Sequence, residues 1–338
     1  MHSRENRIPV ALVTGGYTEE ASVSVRSAAF VAEHLSQNYA VYTINLTPDS
    51  WYYEDASGTR YEVNRKDFSV DLPSGNLQFD IAFIMVHGSP GEDGLLQGYF
   101  DLIGMPYTSC GTLTSALTMD KHITKKVLEG GKNLFQARSV CLQASEQKQA
   151  VALIEKAGLK LPLFVKPNGG GSSIGMSKVK QERDIQEAVD KAFETLNAGA
   201  KQVLVEEFVE GREFSIGAFQ SQGSIQVLPA TEVITSAEFF NFEAKYVPGM
   251  TQEITPADLQ ADQISRIEGI IKEIYQRLNC RGMVRIDFFL EKDTDHFYFI
   301  EINTIPGQTG TSFIPQQVRA AGMTEADFYA GLIQEALR

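Results

Sequence analysis

The sequence predicts a chain of mixed class, with an N-terminal α/β unit followed by α+β units. Apolar segments at residues 8–14, 39–46 and 80–86 have the composition of buried strands, and a helical segment over about 22–35 separates the first two. Strands that alternate with helices favour a doubly wound parallel sheet, in which ligands bind beyond the carboxyl ends of the strands. We therefore expect functional residues in the loops that follow residues 14 and 86.

The rest of the chain predicts two further units, because 338 residues exceed what one hydrophobic core usually organises. A polar hairpin-like segment, WYYEDASGTRYEV, and a helix, LLQGYFDLIG, complete the first unit. A helical segment at 112–128 opens the second unit. Its predicted elements are strands at 161–167, 174–180 and 201–209 and a helix at 184–196.

The third unit contains a segment that is too long for a simple connection. Its predicted elements are strands at 213–219 and 224–233, a long loop at 236–256, a helix at 257–278 and a hairpin formed by 282–290 and 296–304. Loops of this length are often lids over a site. We place the domains at 1–109, 110–206 and 207–338, with the lid at 236–255.

Composition argues against several classes of function. The formal net charge of −13 opposes a broad nucleic-acid surface, which needs clustered lysine and arginine. No apolar run approaches the roughly 18 residues of a membrane span, and the first residues lack the apolar core of a signal peptide. Three widely spaced cysteines, Cys110, Cys141 and Cys280, favour buried, reduced thiols and a cytoplasmic location. We expect neither a nucleic-acid nor a membrane partner.

The predicted hairpin carries the most informative polar residues. In VRIDFFL, Arg285 and Asp287 point to the face opposite the apolar residues. A turn centred near Thr294 would set Asp287 opposite Glu301 and Arg285 opposite Asn303. Strict alternation in the return strand predicts one shared face for Phe297, Phe299, Glu301 and Asn303. Two carboxylates and an amide oxygen are ligands that suit Mg²⁺ bound to substrate phosphates, although a salt-bridged sheet surface would show the same residues.

The segment TIPGQTGTS (304–312) follows this hairpin directly. Its Pro-Gly step interrupts the strand, and several hydroxyl and backbone N–H groups come next. Such a backbone suits an anion or a developing oxyanion. A plain surface loop is the alternative, and the position after a predicted metal strand favours the binding loop.

The stretch KPNGGGSSIG (166–175) predicts a turn that lies over phosphates. Gly169 to Gly171 permit close backbone approach, and Lys166 stands at the mouth of the turn. In a P-loop the lysine follows the glycines, so this is a different phosphate-binding arrangement. We expect Lys125 and Lys126, by contrast, to form a solvated helix face.

The same stretch also fits the nucleophile-elbow pattern of serine hydrolases, Gly171-Ser172-Ser173-Ile174-Gly175. That arrangement needs a helix directly after the serine and a downstream acid followed by a histidine. IGMSKVK has the pattern of a strand, and the only histidine after Ser173 is His296, in the predicted hairpin turn. A hydrolase is therefore a weak alternative.

Taken in order, the motifs resemble those of the ATP-grasp carboxylate–amine ligases, and closely those of the bacterial D-alanine–D-alanine ligases. The pieces are GG-x-T-x-E…VS, HGSPGEDG-x-x-QG, YTSCG, SALTMDK, VKPNGGGSSIGMSKV, VEEF-x-EGREF, EAKY, GMVRIDFF and EINTIPG-x-T-x-TSF-x-PQQ. They span residues 8 to 335. Each is weak alone, and their common order makes the resemblance specific.

The resemblance implies an ATP-grasp fold, in which a Rossmann-like domain precedes two α+β domains that clasp the nucleotide. It implies ATP as cosubstrate with two Mg²⁺ or Mn²⁺ ions. The implied nucleotide-binding residues are Lys121, Lys166, Ser172, Glu206, Glu207, Val209, Glu213 and Lys245. The implied metal ligands are Asp287, Glu301 and Asn303.

The resemblance also implies a reaction, in which one D-alanine is activated as an acyl phosphate and attacked by the amine of a second. Such a ligase supplies dipeptide for peptidoglycan synthesis, and a homodimer is implied. The implied catalytic residues are Glu20, Ser172, Tyr246, Arg285, Gly307 and Ser312. The implied substrate contacts are Glu20, His87, Arg285, Gly307, Ser312 and Phe313.

Three positions depart from the family's pattern. Gln308 stands where methionine is usual, Phe313 where leucine is common, and Ser22 where an acidic residue is often found. The first two leave the acceptor open between D-alanine and D-serine or D-lactate, while Tyr246 favours an amine. A regulatory protein that binds nucleotide without turnover would be expected to lack a metal ligand, and all three are present.

Overall fold

The computed structural model describes residues 7–170, 174–195, 202–235 and 251–338. The first sheet has the order β6-β5-β4-β3-β2-β1-β7. Its strands are β1 (Pro9–Gly15), β2 (Ala40–Leu46), β3 (Trp51–Glu54), β4 (Arg60–Asn64), β5 (Ser69–Leu72), β6 (Gly75–Leu77) and β7 (Ile81–Ile84). Strand β1 is buried along most of its length and is parallel to both β2 and β7. The predicted parallel sheet is confirmed for these three strands.

The other four strands of the first sheet form an antiparallel meander beyond β2. The connections between these strands are short, and parallel pairing would need a crossover of a dozen or more residues. Helix α1 (Ala21–Leu35) and helix α2 (Leu95–Ile103) flank the parallel part. The predicted hairpin at WYYEDASGTRYEV is therefore β3 and β4, within this meander.

The second sheet is antiparallel and has the order β11-β10-β12-β9. Its strands are β9 (Ser139–Gln143), β10 (Leu163–Pro167), β11 (Ser177–Val179) and β12 (Gln202–Glu207). Two helices, α5 (Ala150–Lys156) and α6 (Ile185–Glu194), pack on it through one apolar cluster. Strands β10, β11 and β12 and helix α6 fall on elements that the sequence predicts for the second unit, whereas β9 and α5 were not predicted.

The third sheet has the order β16-β15-β13-β17-β18-β8, and β14 pairs with β13. Its strands are β8 (Phe135–Gln136), β13 (Gly211–Ser221), β14 (Ser224–Val227), β15 (Thr231–Thr235), β16 (Thr251–Ile254), β17 (Met283–Glu291) and β18 (Phe297–Asn303). The helices around it are α3 (Thr112–Met119), α4 (Lys121–Leu128), α7 (Ala261–Arg277) and α8 (Phe313–Ala320).

The last helix, α9 (Glu325–Ala336), returns to the first sheet. Its residues Phe328, Tyr329, Leu332 and Ile333 belong to the same apolar cluster as strands β1 and β7. Residues Ile305 and Ile314, which follow β18, belong to that cluster too. The end of the chain therefore joins the N-terminal unit to the third sheet in one continuous core.

The hairpin of β17 and β18 confirms one sequence prediction and corrects another. Asp287 lies opposite Glu301, and Arg285 lies opposite Asn303, as predicted. The predicted shared face of Phe297, Phe299, Glu301 and Asn303 is wrong. The register shifts next to Asp287, so that Phe288 pairs with Phe299 and leaves one extra residue, Ile300, before Glu301. This bulge sends Phe297, Phe299 and Ile302 into the core and Glu301 to the cleft.

None of the helices in the described part of the chain combines the length and apolarity that a bilayer span requires. All three cysteines are free thiols, with Cys110 and Cys280 buried and Cys141 half-buried.

We expect Gln317 to hold α8 on the third sheet. Its side chain is fully buried, donates to the Ser215 carbonyl (2.8 Å) and accepts from the Gly217 N–H (2.8 Å). Gln317→Met leaves these buried backbone groups unpaired and should lower the free energy of unfolding by about 2 kcal/mol. Urea titration measures this. Gln276→Met, at an exposed position of α7, is the matched control, and an equal effect of the two substitutions would contradict the assignment.

Candidate active site

A cleft lies between the second and third sheets. Strands β10 and β12 contribute one wall, and β13, β15, β17 and β18 contribute the other. Of the predicted site residues, it gathers Lys121, Lys166, Glu206, Glu207, Val209, Glu213, Arg285, Asp287, Glu301 and Phe313. Its apolar lining, which the sequence analysis did not identify, includes Phe164, Met176, Phe208, Phe289 and Ile300. An apolar slot that also carries charged side chains suits a nucleotide, whose base is apolar on both faces.

A buried ion cluster stands on the second-sheet side of the cleft. The carboxylate of Glu206 on β12 contacts the ammonium groups of Lys125 and of Lys166, the latter at 2.5 Å. Burial alone would raise the pKa of Glu206, but the two lysines lower it below its usual range. Glu206 therefore stays ionised and holds Lys166 at the end of β10.

The prediction that Lys125 belongs to a solvated helix face is wrong. Lys125 is only 5% exposed, and its ammonium group also donates to the Ala137 carbonyl (2.8 Å). The expectation failed because Lys125 faces the second sheet, and its partner Glu206 is 81 residues away in the sequence. Lys126, the next residue, is exposed and pairs with Glu129, as expected of a solvated position.

Helix α4 begins where it does because Asp120 interrupts the predicted helix at 112–128. Asp120 has extended backbone and caps α4 by accepting from the Ile123 N–H (2.8 Å). The Lys121 N–H donates to the Asn168 carbonyl, and the Lys121 ammonium donates to the Gly170 carbonyl (2.8 Å). The glycine turn and the start of α4 thus bring Lys121 beside Lys166, at one end of the cleft.

The opposite end of the cleft carries acidic side chains with fixed orientations. Glu207 accepts from Arg138 (3.1 Å) and from the Lys160 N–H (2.9 Å). Glu207, Val209 and Glu213 line the cleft together, and Glu213 is on β13 of the third sheet. These carboxylates can accept hydrogen bonds from hydroxyl or amino groups of a ligand.

Arg285 and Asp287 form a two-pronged ion pair on the cleft face of β17. The guanidinium donates to the two carboxylate oxygens at 3.0 and 2.9 Å, and Ser215 donates to the same carboxylate at 2.6 Å. Burial would lower the pKa of Arg285, but the Asp287 carboxylate raises it, so the guanidinium stays charged. Bidentate pairing fixes the direction of Arg285 as well as its charge.

Glu301 and Asn303 extend this edge along β18. The Glu301 carboxylate lies 3.5 Å from the Lys121 ammonium, so the acidic and basic sides of the cleft meet there. The Asn303 amide oxygen accepts from the Ile305 N–H (3.0 Å). Within the described residues, no three or more histidine, cysteine, aspartate or glutamate side chains are grouped so that they could hold a metal ion. The predicted metal ligands are a different kind of group, because they combine the carboxylates of Asp287 and Glu301 with the amide oxygen of Asn303.

The loops after β1 and β7 contribute acidic groups near the third sheet. A Cβ atom built on Gly88 would lie 3.0 Å from the Glu20 carboxylate, so Glu20 reaches the loop HGSPGEDG. Glu92 accepts from the Gly88 N–H (2.6 Å). Removal from water raises the pKa of Glu92 to about 8, and the charge of Glu20 adds to this rise. Glu92 is not among the sequence-predicted site residues, although it lies in the motif HGSPGEDG.

His87 is buried behind the loop that follows β18. Its Nδ1 lies 2.9 Å from the Ile305 carbonyl oxygen, and its Nε2 lies 3.0 Å from Ser27 Oγ. Burial lowers the pKa of His87 to about 4, so the ring is neutral near pH 7. Both ring nitrogens are engaged by the protein. The ring therefore ties Ser27 on α1 to the loop after β18, and the predicted substrate contact of His87 stays a prediction.

Gly307, Ser312 and Phe313 lie on that same loop and at the start of α8. A Cβ on Gly307 would lie 3.2 Å from Ser312 Oγ, and Ser312 accepts from the Thr309 N–H (2.9 Å). The Phe313 ring lies 5.8 Å from the Arg285 guanidinium carbon. The structure thus brings these three predicted residues to the Arg285 end of the cleft.

Three predicted site residues, Ser172, Lys245 and Tyr246, lie outside the described residues, as do most of the predicted lid and Ser173 of the hydrolase alternative. The histidine which that alternative requires, His296, stacks on Phe135 (3.9 Å between ring centres). Among the described residues that line the cleft there is no histidine.

Known proteins resemble this chain in sequence and in architecture. A family model described as D-ala D-ala ligase N-terminus matches residues 9–110, and one described as D-ala D-ala ligase C-terminus matches residues 134–334. The D-alanine--D-alanine ligase of Phocaeicola vulgatus is 40% identical over 326 residues, which cover 96% of this chain and 98% of that protein.

Solved structures agree with the sequence matches. The VanG D-Ala:D-Ser ligase from Enterococcus faecalis superimposes with a TM-score of 0.86 at 30% identity, over 98% of this chain and 100% of that chain. The D-alanyl-alanine synthetase A from Vibrio cholerae gives 0.84 at 25% identity, over 98% of each chain. The predicted ATP-grasp ligase fold is confirmed. The chain belongs to the D-alanine–D-alanine ligase family.

We expect the Glu206 cluster to need both lysines. Lys125→Met leaves a buried carboxylate with one cation and should lower the free energy of unfolding by about 3 kcal/mol. Lys126→Met, one residue along the same helix, changes a side chain that is 57% exposed and should cost less than about 0.5 kcal/mol. Urea titration of both variants makes the comparison, and equal losses would show that the cluster does not contribute.

We expect His87 to make stability depend on pH between 4 and 6.5. The folded protein holds the pKa near 4, against 6.5 for an unperturbed histidine, so the unfolded chain binds more protons in this window. Stability therefore falls as the pH falls, by on the order of 3 kcal/mol at pH 4. His87→Gln removes this contribution. The free energy of unfolding of this variant should fall less steeply with decreasing pH than that of the native chain. Parallel curves of this free energy against pH would disprove the assignment.

Proposed function

We propose that this protein catalyses the ATP-dependent ligation of two D-alanine molecules to D-alanyl-D-alanine, for peptidoglycan precursor synthesis in the cytoplasm. The observation that carries the proposal is the meeting of Lys121 and Glu301 across the cleft, with Lys166 on one side and Arg285 and Asp287 on the other. In this arrangement lysines that would bind phosphate lie against oxygen donors that would bind metal and against a guanidinium of fixed orientation. Family membership supports the same reaction.

The nucleotide would lie in the slot between the two sheets. Lys121 and Lys166 would hold its phosphates, and the apolar lining around Phe164 and Phe289 would enclose the base.

Glu206 would keep Lys166 in place. Glu207 and Val209 would contact the base, and Glu213 would contact the ribose hydroxyls. Phosphoryl transfer depends on positioning and on charge stabilisation, which is what these residues provide. Ser172 and Lys245 keep the nucleotide roles that the resemblance implies.

The residues of the third sheet fit two Mg²⁺ ions. Asp287, Glu301 and Asn303 present hard oxygen donors along one edge, and they leave the other coordination positions to phosphate and water, as Mg²⁺ prefers. Asp287 and Glu301 face each other directly, where two like charges repel. Arg285 pairs with Asp287 and Lys121 lies 3.5 Å from Glu301, and Mg²⁺ would add to this positive charge. Bound Mg²⁺ would neutralise the phosphate charge during phosphoryl transfer. Asp287, Glu301 and Asn303 would hold the ions.

The amino-acid substrates would lie at the Arg285 end of the cleft. Glu20 would bind the ammonium group of the first D-alanine, whose carboxylate attacks the γ-phosphate and becomes an acyl phosphate as ADP leaves. The deprotonated amine of the second D-alanine then attacks the carbonyl carbon, phosphate leaves, and the nitrogen loses a proton as the amide forms. Arg285 and the Gly307 N–H would stabilise the oxyanion of that step. Ser172 and Tyr246 would close the site over Glu20, which excludes water from the acyl phosphate.

Ser312 and Phe313 would bind the second substrate. The Phe313 ring near Arg285 narrows this end of the cleft and favours a small side chain. We propose D-alanine as the acceptor. The resemblance to a D-Ala:D-Ser ligase structure makes D-serine the alternative to test.

We also propose the division into domains at 1–109, 110–206 and 207–338, and a homodimer. Sedimentation at micromolar concentration tests the dimer, and a monomer there would disprove it.

The reaction is tested by incubating the protein with ATP, Mg²⁺ and D-alanine and identifying the products by mass. We expect one phosphate for each D-alanyl-D-alanine, because the acyl phosphate is consumed by the second amine. L-alanine in place of D-alanine, or EDTA in place of Mg²⁺, should give neither product. Parallel reactions add D-serine or D-lactate, and a mixed product would change the assigned acceptor. Tight ATP binding without phosphate release would indicate a regulatory protein and overturn the proposal.

A further inference from the structure

The loop that carries Gly307 is held from both sides by buried polar side chains. Ile305, Pro306 and Gln308 are buried, whereas Gly307 between them is half-buried. The Gln308 N–H donates to Ser27 Oγ (3.2 Å), which in turn lies 3.0 Å from His87 Nε2. A carbonyl oxygen can only accept, so the contact at Ile305 assigns the proton to His87 Nδ1. Ser27 and His87 therefore connect residues 305 and 308.

The side chain of Gln308 acts on the peptide between Pro306 and Gly307. Its Nε2 donates to the Pro306 carbonyl oxygen (3.2 Å). That carbonyl and the Gly307 N–H belong to one planar, trans peptide unit and point in opposite directions. A hydrogen bond that holds the Pro306 carbonyl toward the core therefore points the Gly307 N–H away from it.

Tyr329 fixes the orientation of the Gln308 amide. The Tyr329 hydroxyl donates to Gln308 Oε1 (2.8 Å), which turns Nε2 toward Pro306. Both residues are fully buried, so no water competes for these groups. Tyr329 lies on α9, in the core shared with the first sheet. The chain thus links its last helix to the orientation of one peptide in the cleft.

We propose that Gln308 and Tyr329 are positioning residues for acyl transfer, which orient the Gly307 N–H toward the oxyanion through the Pro306–Gly307 peptide. The inference rests on the proposed function, because it requires Gly307 to be an oxyanion donor. It adds residues that touch neither the nucleotide nor the amino acids. It also gives Gln308, where the family usually has methionine, a role that methionine cannot perform, because a thioether has no N–H.

The test uses Gln308→Met, which keeps the length of the side chain but removes the amide, and Tyr329→Phe, which removes only the hydroxyl. A misdirected oxyanion donor slows acyl transfer, so the acyl phosphate waits and water hydrolyses it to D-alanine and phosphate. We expect Gln308→Met to lower kcat about tenfold or more, towards the loss of roughly 10²-fold for a missing oxyanion donor. The KM values for ATP and D-alanine should stay within about twofold, since ground-state binding is intact.

The ratio of phosphate to dipeptide separates this role from a purely structural one. In Gln308→Met we expect the ratio to rise clearly above one, with a smaller rise in Tyr329→Phe. The double variant should be no worse than Gln308→Met, because Tyr329 acts through Gln308. The matched control is Tyr275→Phe, which removes another buried hydroxyl, one that donates to the Gly282 carbonyl (2.7 Å) in the third-sheet core. It should lower the Tm and leave both kcat and the ratio unchanged.

Each outcome decides the question. A ratio of one in both single variants would overturn the inference whatever their kcat, because a loss of kcat without acyl phosphate hydrolysis indicates a purely structural role. If Gln308→Met does not fold, Tyr329→Phe decides alone, since it removes a single atom. The native protein is assayed first. Failure of the native chain to form dipeptide would refute the proposed function instead, so the two failures are distinguishable.

Discussion

The pairing of β17 with β18 is the constraint on which the cleft depends. Strand β17 is central in the third sheet, between β13 and β18, and its inner face is fully buried. That burial fixes which residues face the cleft, because a shift by one residue would send Arg285 and Asp287 into the core. The bulge at Ile300 then lets β18 present two phenylalanines to the core and Glu301 to the cleft. One extra residue thus serves both the packing and the site.

Buried charge is the second feature of the site, and a gain in folding stability is a poor explanation for it. Removing ions from water costs more than one good contact returns, so buried ion pairs are weak stabilisers. Here Glu206 is shared by two lysines, Arg285 pairs with Asp287, and Glu92 avoids the cost by a raised pKa. The cost is better explained by a ligand with several charges of its own. A triphosphate with divalent metal would complement both sides of the cleft.

The loop between β18 and α8 joins the acidic edge of the third sheet to the core of the first. Ile305 and Ile314 pack with strands β1 and β7, and His87 and Ser27 from the first unit hold the loop by hydrogen bonds. Residues from opposite ends of the chain therefore share one packed body. Close-packed interiors transmit small displacements, so the position of Gly307 depends on contacts made far from the cleft.

The sequence by itself determined most of the strands that line the cleft, including the hairpin of β17 and β18, but not elements such as β9, α5 and β16. A turn centred near Thr294 predicts Asp287 opposite Glu301 and Arg285 opposite Asn303, but these pairs form only because of the bulge at Ile300. Pairing continued without interruption from Phe288 and Phe299 would set Asp287 opposite Ile300. The order of the motifs supplied the family. Only the tertiary structure decided the bulge at Ile300, the burial of Lys125 and the partners of Gln308. The reason is physical: whether a polar side chain can be buried depends on a partner, and these partners come from segments that sequence periodicity does not connect.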